Sequence, residues 1–128
     1  MPKICYNTRD ELVIVDLDKT AYIQAGGNYS LVVFITGQKM TVTAGISKIE
    51  QMIARAYGKG VKSDYVRLGR SVIFNQRFLL KIDVLKQALI LGDTLHPALT
   101  LRIPKSLVRG YKNVVEQQFA KTHPHAQA

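Results

Sequence analysis

The sequence predicts a mainly β domain that carries two helices. Short runs of β-branched and aromatic residues recur between polar turns, which is typical of strands. Two stripes of apolar residues at helical spacing interrupt this pattern, one near the middle of the chain and one after Pro104. The length of 128 residues and the 47% hydrophobic content suit one packed domain over residues 1–128. Its core is expected at about 11–120, with a flexible tail at 121–128.

The strands are predicted from apolar runs and from the turn residues that separate them. Residues 12–17 are apolar and β-branched, and residues 39–43 alternate polar and apolar side chains, the period of a half-buried strand. Residues 26–28 (Gly-Gly-Asn) tolerate the positive φ of a tight turn. Residues 92–94 are expected to form a hairpin-type turn between the last two strands. The predicted strands are 12–17, 20–24, 29–36, 39–43, 64–68 and 71–74, an apolar stretch at 78–82, and two more near 86–91 and 98–103.

The two helices are predicted from stripes of apolar residues three and four positions apart. For the first helix, Thr43 is a candidate N-cap, and Ser47 with Glu50 fits a later-starting capping box. Residues 58–60 (Gly-Lys-Gly) end it. Pro104 suits the first turn of the second helix. The first stripe is Ile46, Ile49, Ile53, Ala56 and Tyr57, and the second is Leu107, Val108, Tyr111, Val114, Val115 and Phe119.

The charge of the chain is positive and unevenly distributed. Eighteen Lys and Arg against nine Asp and Glu give a net charge of +9. Residues 65–128 hold ten of the cations and only three of the acids. A basic half of this kind attracts polyanions through counterion release. A polyanion is therefore the leading candidate partner, and a purely solubilising role for the charge is the alternative. Double-stranded DNA is the favoured polyanion because the forks of Arg67, Arg70 and Arg77 on a β scaffold suit phosphate oxygens and guanine edges.

The cysteine count and hydropathy favour a soluble protein of a reducing compartment. Cys5 is the only cysteine, so neither an internal disulfide nor a thiolate metal cluster can form. No apolar run reaches the roughly 18 residues that cross a membrane. The N-terminal residues are too polar and too few for a secretory signal. We expect a cytoplasmic protein with no membrane partner.

The residues that usually carry catalysis are not arranged for it. His96 lies in a proline-containing segment without a nearby nucleophile pattern. His123 and His125 belong either to a weak metal site or, in the favoured interpretation, to a disordered tail. Asp16 and Asp18 share one face of a strand but lack an acid–base partner or further metal ligands. We therefore expect no enzyme, no cofactor, no metal site and no small-molecule substrate.

Two basic segments are the candidate binding residues. In the acid-free stretch 65–82, Arg70 lies at a predicted bend and Ser71 can donate to a phosphate oxygen. A solvated arginine on an edge strand is the alternative. Arg102, Lys105 and Arg109 surround the start of the last helix, where the positive end of the macrodipole disfavours cations. An anionic partner explains them, and so does a hydrated surface.

Three features follow one another along the chain: Gly-Asn-Tyr-Ser at 27–30, the amphipathic helix, and Val-Arg-x-x-Arg-Ser-x-x-x-Asn at 66–75. In this order they resemble the LytTR-type DNA-binding domain of bacterial response regulators, from about Val13 to Val108. Arg67, Ser71 and Asn75 fall in register with the family pattern. The resemblance implies a small antiparallel β assembly of short sheets with one packed helix and a C-terminal helix.

The resemblance also implies how DNA is bound. Family members contact paired DNA repeats through loops in successive major grooves, without a recognition helix. The implied contacts here are base contacts by Asn28 and Arg70 and phosphate contacts by Arg67, Ser71 and Lys105, although Arg67 can alternatively face the other side of its sheet. Asn75 is expected to hold a turn. The full set of implied DNA-binding residues is Gly27, Asn28, Tyr29, Arg67, Arg70, Ser71, Arg102 and Lys105.

The chain departs from the family pattern at several points. Gly69 replaces a frequent histidine, and Ile103-Pro104 replaces the usual Ser-Arg. The last helix is longer and apolar along one face, which suits dimerisation. No receiver domain precedes residue 13, so a stand-alone member or a separately expressed domain is expected.

Three functions remain open from the sequence. The first is sequence-specific binding of duplex DNA that regulates bacterial transcription, with a homodimer on paired repeats. The second is a protein-interaction module of the same fold that dimerises through the C-terminal helix without reading DNA sequence. The third, binding of RNA or single strands, is disfavoured because aromatic residues are only 8% of the chain and offer few stacking platforms.

Overall fold

A computed structural model of the chain describes residues 2–122. In this part the chain forms ten strands and two α-helices, which confirms the mainly β prediction. The strands are β1 (Lys3–Asn7), β2 (Leu12–Asp16), β3 (Thr20–Ala25), β4 (Ser30–Phe34), β5 (Lys39–Val42), β6 (Tyr65–Leu68), β7 (Val72–Asn75), β8 (Leu79–Asp83), β9 (Ala88–Leu91) and β10 (Leu99–Arg102). The helices are α1 (Ile46–Tyr57) and α2 (Lys105–Thr122), and a 3-10 turn covers Gln76–Phe78.

The strands of the described residues form three antiparallel sheets, with the orders β1-β2, β5-β4-β3-β7-β6 and β10-β9-β8. The five-stranded sheet is buried on both faces at its centre. In β7, Ile73 belongs to one core, while Val72 and Phe74 belong to the other. Successive side chains of a strand point to opposite faces of the sheet, so neighbouring residues of β7 enter different cores.

One core lies between the five-stranded sheet, α1 and the β1-β2 sheet. It is filled from α1 by Ile46, Ile49 and Ile53, three of the five residues of the predicted apolar stripe, and the other two are partly buried against it. The other core lies between the opposite sheet face, the three-stranded sheet and α2. There the rings of Phe74 and Tyr111 meet edge to face, with centroids 5.1 Å apart. The packing of α1 between sheets agrees with the fold that the sequence resemblance implied.

The start of α1 differs from both caps predicted from the sequence. Gly45 is the N-cap residue and no side chain caps the helix, so neither Thr43 nor a capping box is used. Ser47 and Glu50 instead receive hydrogen bonds from Arg67. The helix ends at Gly58 with φ 91°, as predicted, because glycine adopts this conformation without steric cost.

Three further segments differ from the sequence prediction. β1 lies outside the predicted strands; it is held by antiparallel pairing with β2 and by burial of Ile4. Lys86 lies in the β8–β9 turn rather than in a strand, where its N–H donates to Asp83 Oδ1 over 2.9 Å. The link between β9 and β10 spans residues 92–98 instead of a tight hairpin, and Asp93 accepts backbone hydrogen bonds within it.

The helix α2 continues to Thr122, so residues 121 and 122 of the predicted tail are helical. Residues 123–128, with His123 and His125, lie outside the described residues. Neither helix of the described chain has the length and apolar character needed to cross a membrane.

Candidate nucleic-acid interface

Two turns leave the five-stranded sheet side by side at the same end. The Asn28 turn (residues 26–29) joins β3 to β4, and the Arg70 turn (residues 69–71) joins β6 to β7. β3 and β7 are antiparallel neighbours, and the N–H of Ala25 donates to Ser71 O over 2.8 Å. The centres of the two turns are therefore separated by two strand spacings, about 10 Å.

The Asn28 turn presents a polar tip to solvent. It is closed by a hydrogen bond from Gly26 N–H to Tyr29 O of 2.9 Å, and Gly27 adopts a φ of 80°. Asn28 is exposed, and its amide has no hydrogen-bond partner within residues 2–122. The ring of Tyr29 covers Gly26 so closely that a Cβ on Gly26 would overlap it. The asparagine amide is thus available for an external partner.

The Arg70 turn presents a guanidinium to solvent. Arg70 and Ser71 are exposed, and the Arg70 guanidinium makes no hydrogen bond or ion pair within the described residues. Gly69 has a φ of 65°, in the left-handed region that glycine tolerates best. The turn therefore combines an unpaired cation with a backbone conformation that glycine permits.

Arg67 makes its contacts inside the protein. Its Nη1 donates to Glu50 Oε1 over 2.8 Å and to Ser47 Oγ over 3.1 Å. Its Nε and Nη2 donate to the carbonyls of Gly69 and Arg70, each over 3.2 Å. Arg67 therefore faces α1 rather than solvent, which is the alternative orientation considered from the sequence. The Arg67 side chain is 23% exposed.

The first turn of α2 lies against the Arg70 turn. A Cβ built on Gly69 would lie 2.8 Å from Leu107 Cδ1. Lys105, the first residue of α2, is exposed, and its ammonium has no partner within residues 2–122. The charge of Lys105 therefore lies two residues along α2 from Leu107, which packs against the Arg70 turn.

Arg102 is partly engaged in an internal contact. Its Nη1 donates to Lys86 O over 3.0 Å, and Ile103 N–H donates to Gln87 O over the same distance. These bonds tie the end of β10 to the β8–β9 turn. Lys86 therefore lies beside Arg102, in a turn and not in the strand predicted from the sequence. From the sequence, this turn is indicated by Asp83, three residues before Lys86, because aspartate side chains favour turns by bonding nearby backbone N–H groups.

Seven of the eight residues predicted to bind DNA lie in three exposed groups, and the eighth, Arg67, lies behind one of these groups. Gly27, Asn28 and Tyr29 share one turn, and Arg70 and Ser71 share the turn beside it. Arg102 and Lys105 flank the start of α2, next to the Arg70 turn. Arg67 lies behind that turn, bonded to α1.

Ser47 and Glu50 are functional candidates that sequence reasoning missed. From sequence, both residues belong to a possible capping box or to the solvent face of α1. Their contact with Arg67 joins residues 17 to 20 positions apart. A local pattern carries no signal for such a contact.

The histidine and aspartate side chains singled out from the sequence hold loops and turns within the described residues. Among residues 2–122, no group of three His, Cys, Asp or Glu side chains could hold a metal ion. His96 Nδ1 lies 2.9 Å from Asp93 Oδ2 in the loop before β10. The His96 side chain, with the backbone N–H groups of Leu95 and His96, holds the pKa of the Asp93 carboxyl below its usual range. This pair closes the loop between β9 and β10.

Asp16 and Asp18 each make contacts that stabilise a turn. Asp16 Oδ1 accepts the N–H of Asp18 over 3.0 Å. Asp18 pairs with Arg77 over 3.2 Å. The two carboxylates therefore act in the β2–β3 turn and in an ion pair with the 3-10 turn, not as an acid–base pair.

The arrangement defines a class of domain: short antiparallel sheets with a helix packed between them and polar turns gathered at one end. No protein-family model matches the chain, and no curated protein matches its sequence. Among solved structures, this chain is similar to the LytTr DNA-binding domain of a Bacillus cereus protein that is described as a methyl-accepting/DNA response regulator. The TM-score is 0.56 at 15% identity, over 90% of this chain and 97% of that one. The chain therefore has the LytTR-type fold, which confirms the resemblance seen in the sequence at the level of fold.

Proposed function

We propose that this protein binds duplex DNA through the Asn28 and Arg70 turns, recognises its sequence, and regulates bacterial transcription from the cytoplasm. The observation that carries the proposal is the adjacency of the two turns, each with an unpaired polar side chain at its tip. The structural neighbour from Bacillus cereus is named as a DNA-binding domain, which supports DNA as the partner.

The dimensions of the two turns suit a major groove. Their separation of about 10 Å compares with a groove width of about 12 Å. An arginine such as Arg70 can donate two hydrogen bonds to O6 and N7 of guanine, and an asparagine such as Asn28 can pair with adenine. Each such pair discriminates against the wrong base by roughly 1–3 kcal/mol.

The residues around the two tips suit contacts with the DNA backbone. Ser71 can donate to a phosphate oxygen, and Lys105 adds a positive charge beside the Arg70 turn. Arg102 retains guanidinium donors beyond the one that Lys86 O accepts. In the first turn, Gly27 allows close approach of the backbone and Tyr29 offers a half-exposed hydroxyl-bearing ring. Such contacts fix the register of a protein on the duplex without reading its sequence.

No cofactor, metal or catalytic step is needed for this function, so we propose a binding protein and not an enzyme. Recognition of paired repeats by two copies of the chain follows from the small footprint of one domain. Through its two turns, one domain contacts only a few base pairs. Two domains on a symmetric or repeated site contact a longer sequence.

Selection of bound duplexes from a random pool, followed by a salt titration on the recovered sequence, tests the proposal. We expect a recovered motif repeated at a spacing of about one helical turn, roughly 10 bp. Affinity should fall steeply as salt rises, because each phosphate contact releases counterions. Recovery of no motif, together with binding that is insensitive to salt, would refute the proposal.

A second candidate function is self-association through α2 without sequence-specific DNA recognition. A groove of about 400 Å³ between β8 and the C-terminal half of α2 favours it. Leu80 and Phe119 in this groove are 61% and 52% exposed. Lys112 and Glu116 pair with each other over 3.5 Å beside this groove, so its apolar residues and not these charges would carry the contact with a second copy. The groove is lined by Leu79, Leu80, Lys81, Ile82, Lys112, Val115, Glu116 and Phe119.

A further inference from the structure

The first turn of α1 contacts both of the turns proposed to bind DNA. On one side, a Cβ built on Gly45, the N-cap residue of α1, would lie 3.6 Å from Gly27 O in the Asn28 turn. On the other side, Ser47 and Glu50 bind Arg67, which in turn binds the backbone of the Arg70 turn. α1 therefore lies against both turns, which the pairing of β3 with β7 places side by side.

Arg67 is the link between α1 and the Arg70 turn. All three of its guanidinium nitrogens are used: Nη1 on the Glu50 and Ser47 side chains, Nε on Gly69 O, and Nη2 on Arg70 O. The planar guanidinium holds these acceptors in a fixed relation that a lysine ammonium on a flexible stem cannot reproduce. The acceptors include two consecutive carbonyls, at the positions where the chain reverses direction.

The Arg70 turn needs such a restraint because of its sequence. Gly69 is free to adopt many backbone conformations, and its φ of 65° is one of them. The clamp on the carbonyls of Gly69 and Arg70 selects one conformation and so sets the direction in which Arg70 leaves the sheet. A base contact through two parallel hydrogen bonds depends on that direction.

We infer that Arg67 and Glu50 are positioning residues that aim Arg70 at its base, and that Arg67 does not act mainly by contacting phosphate. The inference rests on the proposed DNA binding. It extends that proposal by assigning base specificity to a residue on α1 that never touches DNA.

Glu50→Gln separates this inference from simple electrostatics by the sign of its effect. Removal of an acid from a DNA-binding protein strengthens attraction to phosphate, so electrostatics alone predicts tighter binding. Loss of the ion pair that anchors Arg67 predicts the opposite for the preferred base pair. We expect Glu50→Gln to lower discrimination at the base pair read by Arg70 about five- to hundredfold, the range of one bidentate contact.

Arg67→Lys separates positioning from a phosphate contact. The lysine keeps the charge and therefore keeps a phosphate contact and its share of the salt dependence. The lysine lacks the planar guanidinium that donates to both Gly69 O and Arg70 O. We expect the same loss of base discrimination as in Glu50→Gln, with the slope of log affinity against log salt unchanged.

Asp64→Asn is the matched control, because it removes an exposed acid just before β6, at the end of that strand opposite to the Arg70 turn. It should leave base discrimination unchanged. Amide hydrogen exchange in the absence of DNA supplies a second measurement. The amides of residues 69–71 should exchange faster in Glu50→Gln and Arg67→Lys than in the wild type or in Asp64→Asn.

The outcomes separate the inference from the proposal on which it rests. If the wild-type protein binds a preferred duplex and both variants retain its base preference and its exchange rates, the positioning role is wrong. If the wild type binds no duplex, the proposed function is wrong, and hydrogen exchange still decides whether Arg67 and Glu50 hold the turn. Unchanged base discrimination in Arg67→Lys, with the wild-type salt slope, is the result expected of a phosphate contact that lysine can replace, and it would overturn the inference.

Discussion

Arg67 and Arg70 lie three residues apart and have different surroundings. Arg67 belongs to β6, where strand alternation directs its side chain to α1 and to the acceptors there. Arg70 lies in the turn, where no neighbouring element of the described chain offers an acceptor. The same residue type is therefore used once to hold the backbone and once, in our proposal, to contact a base.

Arg70→Ala should weaken binding to the preferred duplex by roughly 1–3 kcal/mol, because it removes a bidentate base contact. The loss should be much smaller on a duplex in which that base pair is changed, so the preference relaxes. Fluorescence anisotropy titrations on both duplexes measure it. Arg55→Ala, at an exposed arginine in the last turn of α1, is the control and should weaken both duplexes equally. Equal losses for Arg70→Ala would rule out base recognition by this residue.

Asn75 holds a turn at the opposite end of β7 from the Arg70 turn. Its Nδ2 donates to Thr20 O over 3.1 Å and to Leu17 O over 3.3 Å, and its Oδ1 accepts the N–H of Arg77. Only 1% of the residue is exposed. Asn75 thus stabilises the β2–β3 connection and the start of the 3-10 turn, and it cannot reach a duplex bound at the other end of the sheet.

Asn75→Ala should lower the free energy of unfolding by roughly 1–3 kcal/mol, because buried polar groups lose their partners. Urea denaturation measures the change. Asn113→Ala, on the exposed face of α2, should alter it by less than about 0.5 kcal/mol. At temperatures where Asn75→Ala remains folded, its base preference should equal that of the wild type. A relaxed preference in the folded variant would contradict the purely structural role.

At the scale of elements, α2 has two different halves. Val108 and Tyr111 in its N-terminal half are buried in the second core. Its C-terminal half lies along β8 with the apolar groove between them. Deletion of residues 107–120 would remove core residues and test stability instead of association. Substitution of exposed groove residues is the sharper experiment.

Leu80→Ser should weaken any homodimer formed through this groove by roughly 2–4 kcal/mol, since a two-fold interface loses the buried leucine twice. Sedimentation equilibrium over a range of concentrations measures the dissociation constant. Val61→Ser, at a comparably exposed apolar residue in the loop before β6, is the control and should have no effect. A wild-type protein that stays monomeric at all concentrations would remove the groove from consideration as a dimer interface.

At the scale of the whole molecule, two cores share one central sheet, and each includes a hydrogen-bonded tyrosine. Tyr65 OH donates to Leu17 O, and Tyr111 OH donates to Gln76 Oε1, both over 2.6 Å. Burial raises the pKa of both phenols above the ordinary value of 10.0. The two sides of the sheet therefore respond to high pH in the same direction.

Stability should fall as pH rises above about 10. The unfolded chain then releases the phenolic protons while the folded protein keeps them, so the folded state binds more protons and the free energy of unfolding decreases with pH. Each phenol contributes a slope of up to about 1.4 kcal/mol per pH unit above its unfolded pKa and nothing below it. Urea unfolding between about pH 9 and pH 11 measures the slope.

Tyr111→Phe and Tyr65→Phe should each flatten this alkaline loss, because the substituted ring has no proton to release. Tyr29→Phe, at an exposed tyrosine of the Asn28 turn, should leave the wild-type slope. Slopes that are the same in all three variants would mean that buried phenols do not govern the alkaline transition.

The sequence by itself determined the mainly β class, the two helices, and the turns that carry Asn28 and Arg70. These features follow from residue patterns a few positions long: apolar alternation, helical spacing, and the glycines that permit reversal of the chain. The end of α1 at Gly58 and the turn-holding position of Asn75 belong to the same group.

Only the tertiary structure decided which side chains meet. The bond from Ala25 to Ser71, the contact of Gly69 with Leu107, and the clamp of Arg67 on α1 join residues 17 to 46 positions apart. Strand order β5-β4-β3-β7-β6 brings these pairs together, and no local pattern encodes it. For the same reason β1 was missed, since its short mixed sequence becomes a strand through pairing with β2. Contacts between distant residues depend on the packing of the whole chain, and local propensity alone cannot specify them.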